Sequence, residues 1–171
     1  KSIADAFVVD ANGQLVKGES FSMNIADQLK LPESQRTLPI FICTDDSDSP
    51  KYIIPLSGAG LWGPIWGYIS IENDGNTVYG AYFAHQSETP GLGAEIEKPQ
   101  FQKQFQGKHF FIDGAFMPIA VEKAGRKPQN GADYVDAVSG GTITSKGVQS
   151  MLQSCVEPYA QFLESLNSKN I

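Results

Sequence analysis

The strongest constraint on the fold comes from the C-terminal end of the chain. Val148, Met151, Leu152, Cys155, Tyr159, Phe162, Leu163 and Leu166 recur at i, i+3, i+4 and i+7, the spacing that lines up side chains on one face of a helix. A continuous apolar face of that length predicts a helix packed into a core rather than a binding groove. Pro158 lies inside it and has no backbone N–H to give, so a kink or break is predicted there. An apolar helix face needs a second layer to lie against.

The rest of the chain supplies that layer. Residues 6–10 and 14–16 flank Asn12-Gly13, and the β-rich runs 65–72 and 77–85 flank Asn73-Asp74-Gly75-Asn76, which predicts two hairpins. Further strands are predicted at 40–42, 109–112 and 119–122. Short helices are predicted over 22–30 and from about residue 94 into 105, the second starting late or breaking at Pro99. The fold class that results is α+β, a mostly antiparallel sheet packed with helices. With no repeat or low-complexity stretch, the 171 residues read as one domain, long enough to bury roughly 70% of its unfolded surface.

Charge narrows the function classes. Thirteen Lys and Arg stand against nineteen Asp and Glu, a net charge of −6, which argues against a nucleic-acid partner and against attachment to an anionic membrane by charge alone. No run reaches the roughly 18 apolar residues of a membrane span. The chain begins with Lys1 and carries no signal peptide, so it is expected to be a fragment or a processed form whose anchor could have been removed. Cys43 and Cys155 each sit in an apolar pattern and read as two buried thiols or as an inter-element disulfide. They are too far apart in sequence to form a metal site. The acidic run Asp45-Asp46-Ser47-Asp48-Ser49-Pro50 lacks the glycine and terminal glutamate of a calcium loop and reads as a solvated turn.

Chemistry concentrates just before the long helix, in Asp136-Ala137-Val138-Ser139-Gly140-Gly141-Thr142-Ile143-Thr144-Ser145. Paired glycines allow close backbone approach and positive φ. A helix N-terminus offers free N–H groups and partial positive charge to an anion. Two readings stay open on spacing alone: an anion-binding loop with hydroxyls nearby, or a plain cap in which Thr144 or Ser145 closes the helix end.

Ser139-Gly140-Gly141-Thr142-Ile143-Thr144 resembles the flavin-attachment motif Ser-Gly-Ala-Thr-x-Thr of FMN-binding domains, with Asp136 in the place of the motif's upstream aspartate and glycine at 141 instead of alanine. The resemblance implies FMN joined by a phosphoester to Thr142, with Thr144 the other candidate hydroxyl, by a magnesium-dependent flavin transferase that takes FMN from FAD. His85-Gln86-Ser87-Glu88-Thr89-Pro90-Gly91-Leu92-Gly93 is similar to a segment shared by the C subunit of sodium-translocating NADH:quinone oxidoreductases and the G subunit of Rnf electron-transport complexes. It implies that Glu88, Thr89, Leu92 and Gly93 line the isoalloxazine site. Gly60-Leu61-Trp62-Gly63 resembles a segment typical of the sodium-pump subunit. It implies Trp62 as a flavin neighbour, while Trp66 is assigned to the core. Lys123 is a further candidate by resemblance and reads equally as a surface lysine.

The resemblance covers about residue 55 to the C-terminus. It implies an electron-transfer subunit with covalent FMN, no metal, no catalytic residue and no small-molecule substrate or turnover of its own. The implied partners are the other subunits of a membrane NADH:quinone reductase and the flavin transferase. The implied location is the outer, periplasmic side of a bacterial inner membrane, on an N-terminal anchor absent from this sequence. The alternatives are the G subunit of an Rnf-type complex and a scaffold module that carries no flavin.

Overall fold

A computed structural model of the chain describes residues 5–44 and 46–169; Asp45, which opens the acidic turn, lies outside them. Six strands form one sheet: β1 (Asp5–Val9), β2 (Leu15–Lys17), β3 (Leu38–Thr44), β4 (Pro50–Ala59), β5 (Pro64–Ile71) and β6 (Val78–His85). Their order is β2-β1-β3-β4-β5-β6, and every neighbouring pair is antiparallel. Both hairpins form where turn chemistry predicts them, with Gly13 at φ +73° and Gly75 at φ +70°. The predicted helix at 22–30 is shorter, α1 (Ile25–Leu29), because Asn24 takes the N-cap and accepts from the Ala26 N–H at 2.9 Å.

Strand patterning did not predict β4, although it lies inside the sheet. Pro55 at its middle argues against a central strand, since it cannot donate to a ladder. The structure shows why it is tolerated. Pairing of β3 with β4 runs only from Pro50 to Ile53, whereas β5 follows β4 to Ala59. Beyond Ile53 the far side of β4 faces a helix instead. Ser57, two residues on from Pro55 and so turned to the same side, gives its N–H to Cys155 Sγ and accepts the thiol at its carbonyl.

That helix is α3 (Thr142–Val156), followed by a 3-10 turn at Glu157–Tyr159 and α4 (Ala160–Ser168). The break falls at Pro158, as the missing donor predicts. Met151 and Leu152 of α3, Tyr159 of the turn and Leu163 of α4 share one buried apolar core with Ile54, Leu56, Ile65, Ile69 and Phe83 of the sheet. Tyr159 donates its hydroxyl to the Pro39 carbonyl at 2.5 Å and ties the break to β3.

The segment predicted as a helix from 94 into 105 is interrupted at Pro99, as expected. It consists of 3-10 turns at Gly93–Glu97 and Lys103–Phe105 around α2 (Pro99–Gln102). Two small pairs complete the fold. β7 (Phe111–Ile112) pairs antiparallel with β8 (Ala115–Phe116), and β9 (Ala120–Glu122) pairs parallel with β10 (Tyr134–Asp136). Strands β8 and β10, two and three residues long, were not predicted from the sequence, whereas their partners β7 and β9 were. Of the two cysteines, Cys155 is a buried thiol as the apolar pattern predicts, whereas Cys43 is only half-buried. Among the described residues no helix is long and apolar enough to cross a membrane.

Candidate functional site

Three segments far apart in sequence meet at the N-terminus of α3. The turn between β4 and β5 closes through the Gly60 N–H and the Gly63 carbonyl at 2.8 Å and projects Leu61 and Trp62. The loop after β6 folds on Thr89, whose carbonyl accepts from both Leu92 and Ala94. The segment leaving β10 turns at Gly140, where φ is +74° and a side chain would strike Leu92 Cδ2. Together they enclose a cleft of about 240 Å³.

Of the residues singled out from sequence, Trp62, Glu88, Thr89, Leu92 and Gly93 line this cleft from one side, and Gly140, Gly141, Thr142 and Thr144 from the other. Ser139 and Lys123 are not among its lining residues. Ser139 is exposed on the preceding turn and borders a second cleft, with Gly91 and Asp136. Lys123 is exposed just past β9. Trp66, assigned to the core, is 40% exposed. It alternates with buried Ile65 and Gly67 along β5 and so points to the sheet face opposite the helices.

The two candidate threonines have different surroundings. Thr142 is exposed at the first position of α3. Thr144 is 1% exposed and donates its hydroxyl to Glu88 Oε2 at 2.5 Å. Neither Thr144 nor Ser145 caps the helix. The N-cap is Gly141, with no side-chain cap bond, and the Ser145 hydroxyl instead accepts from the Val138 N–H at 3.0 Å. The first N–H groups of α3 therefore have no side chain closing them from the cleft.

Sequence reasoning missed Leu61 and Ile143, which also line the cleft and are 47% and 60% exposed. Ile143 did carry a signal. It lies five residues before Val148, and at 100° per residue that places an apolar side chain on the face opposite the buried stripe. With Trp62 at 65% and Leu92 at 43%, these side chains give the cleft an exposed apolar rim. No Lys or Arg is among its lining residues. The nearest cation along the helix, Lys146, is held by Glu122 at 3.3 Å and Gln149 at 3.1 Å. Four other grooves among the described residues are larger, two of about 550 Å³ and two of about 450 and 400 Å³. None combines a free helix N-terminus, a hydroxyl and an apolar rim, so chemistry rather than volume selects the 240 Å³ cleft.

Known proteins resemble this chain over much of its length. The sequence signature of the FMN-binding domain family matches residues 60–157. The chain is 35% identical over 178 residues to the C subunit of the Na+-translocating NADH-quinone reductase of Chlamydia caviae, covering 96% of this chain and 50% of that protein. It is 39% identical over 123 residues to the C subunit of the same reductase from Vibrio anguillarum, covering 72% and 48%. The chain thus spans about half the length of these curated relatives. Among solved structures, the C subunit of the Na+-translocating NADH-quinone reductase of Parabacteroides distasonis superimposes with a TM-score of 0.86 at 50% identity, covering 94% of this chain and 78% of that one. NqrC of Shewanella oneidensis gives a TM-score of 0.77 at 27% identity, covering 96% and 84%.

Proposed function

The chain belongs to the FMN-binding domain family, and on that premise we propose that it is the flavin-carrying part of the C subunit of a sodium-translocating NADH:quinone reductase, with FMN joined by a phosphoester to Thr142. The observation that carries this reading is the contrast between the two threonines. Thr142 presents an exposed hydroxyl at an uncapped helix N-terminus, whereas the hydroxyl of Thr144 is buried on Glu88.

The residues present fit the group. Backbone N–H groups of the first turn of α3 and the Gly140-Gly141 turn suit a phosphate without a cationic side chain. Leu61, Trp62, Leu92 and Ile143 suit the faces of an aromatic ring, with Trp62 free to stack. Thr89 and Gly93 line the loop side of the cleft, and Glu88 and Thr144 form its floor. Ser139 would act at the turn that presents Thr142, and Lys123 would act only at the periphery. A cleft of about 240 Å³ is smaller than ordinary ligand pockets, so one edge of the ring would stay outside it, as exchange with a neighbouring carrier requires. FMN supplies the electron-transfer chemistry; the protein fixes its position and limits its contact with water.

Attachment would form a bond from Thr142 Oγ to phosphorus and break the diphosphate bond of FAD. AMP would leave and the hydroxyl proton would be lost, with a flavin transferase as catalyst. The complex would pass electrons from NADH to quinone while sodium crosses the bacterial inner membrane, with this domain on the periplasmic side. The isolated domain would carry electrons without turnover of its own.

The test is intact mass after co-expression with a flavin transferase, for the wild-type chain and Thr142→Ala. A gain of one FMN phosphoester in the wild type, absent from the variant, is the expected result. Gain in both moves the link to another hydroxyl, and gain in neither removes the covalent-flavin reading.

A further inference from the structure

Glu88 is 4% exposed, and among the described residues no cation pairs with it. Burying an unpaired carboxylate is costly unless hydrogen bonds replace its hydration. Both oxygens are in fact committed inside the protein. Oε1 accepts from the Trp62 backbone N–H at 2.8 Å, and Oε2 accepts from the Thr144 hydroxyl at 2.5 Å. A Cβ at Gly60 would collide with Oε1, and one at Gly93 would lie 2.5 Å from Oε2, so the space around the carboxylate is shaped to it. Ser87 completes the arrangement by donating its hydroxyl to the Trp62 carbonyl at 2.9 Å. The backbone of Trp62 is thus held at its N–H by one residue and at its C=O by the preceding one, while its indole stands 65% exposed. Glu88 is itself steadied by His85, whose Nδ1 accepts the Glu88 N–H at 3.1 Å, leaving Nε2 toward Glu97 at 3.5 Å.

We propose that Ser87 and Glu88 are positioning residues rather than ligands: they clamp the Trp62 backbone at both ends, and Glu88 fastens that clamp to the first turn of α3 through Thr144. The ring-side wall and the phosphate-side anchor of the cleft are then set as one unit before anything binds. A wall already fixed has less motion to lose on binding. The consequence for a bound flavin rests on the function proposed above; the clamp itself is a property of the polypeptide.

The test is amide hydrogen exchange at the Trp62 N–H, followed by NMR in the chain without cofactor. A role set by reach distinguishes the variants of Glu88. Glu88→Gln keeps the length: its carbonyl accepts from Trp62, and its amide donates to the Thr144 hydroxyl. Glu88→Asp keeps the charge but is one bond, about 1.5 Å, too short. Expected are wild-type protection in Glu88→Gln and exchange faster by about ten-fold in Glu88→Asp, the scale of one lost hydrogen bond. Amides of Ile54 and Ile69 in the sheet should stay slow in both, which separates a local effect from unfolding. Protection in Glu88→Asp with loss in Glu88→Gln would show that charge matters and overturn the clamp; protection in both, or loss in both, would also overturn it. Ser87→Ala, a change in an exposed loop, keeps the proposal testable if the Glu88 variants misfold. It should speed exchange at Trp62 a few-fold, and no change would overturn the two-sided hold. Because no flavin is present, failure here leaves the FMN reading standing, and failure of the mass test leaves the clamp standing.

Discussion

The two ends of α3 belong to one helix and follow different rules. At its C-terminal end Met151, Leu152, Cys155 and Val156 are at most 1% exposed, and all four belong to the apolar core that the helix shares with the sheet. At its N-terminal end Thr142 and Ile143 face outward, and no side chain caps the helix. The first arrangement stabilises the fold; the second leaves hydrogen-bonding and apolar groups unspent. The difference teaches that the rigid half of the helix fixes the place of the other half, whose own contacts contribute little to folding.

The largest expected effect falls at the buried end. Leu152→Ala removes a fully buried side chain and should cost about 2–5 kcal/mol, measured as a lower urea midpoint with unchanged m. Thr142→Val should leave that midpoint unchanged within about 0.5 kcal/mol. Equal losses in the two variants would break the comparison.

Thr144 lies at the border between the two regimes. Thr144→Val keeps the shape but leaves Glu88 Oε2 without its donor, and should cost about 1–3 kcal/mol. A neutral result in the same denaturation assay would place Thr144 with the unspent groups instead.

The smallest effect sharpens the buried end through pH. The β5–β6 turn packs near α4, where a Cβ at Gly75 would press on Leu166. Burial pushes the Asp74 carboxyl up, but the Thr77 hydroxyl, the Thr77 and Asn76 N–H groups and the His109 charge outweigh it and hold the carboxyl below its ordinary value. A depressed folded pKa contributes stability above the unfolded value, and that contribution is lost as pH falls through the folded pKa. Asp74→Asn should therefore narrow its stability gap to the wild type as acid is added below about pH 4. A gap that stays constant through that range would assign the effect of Asp74 to shape alone.

Much of this was legible in the chain because it depends on local rules. Apolar spacing marked α3 and α4, the absent donor of Pro158 marked the break between them, and Asn-Gly and Asp-Gly marked the two turns. The Ser-Gly-Gly-Thr run marked the helix start that lines the cleft. Three features did not follow local rules. Strand β4 was not predicted, and its proline is acceptable only where β3 stops and α3 takes over. Trp66 looked like core, because alternation along β5 gives its face only once the sheet is assembled. Ile143 was legible in principle from its helical angle but looked like one more apolar residue.

By itself, then, the sequence determined the helices, the hairpins and the candidate hydroxyls, since each is set by residues within a few positions of one another. Only the tertiary structure decided what the hydroxyls meet. Helical spacing sets Thr144, four residues before Val148, on the buried side of α3 and Thr142 away from it, but the carboxylate that Thr144 reaches belongs to Glu88, fifty-six positions earlier. A contact between distant segments depends on how whole elements pack, and no local pattern in the chain records it.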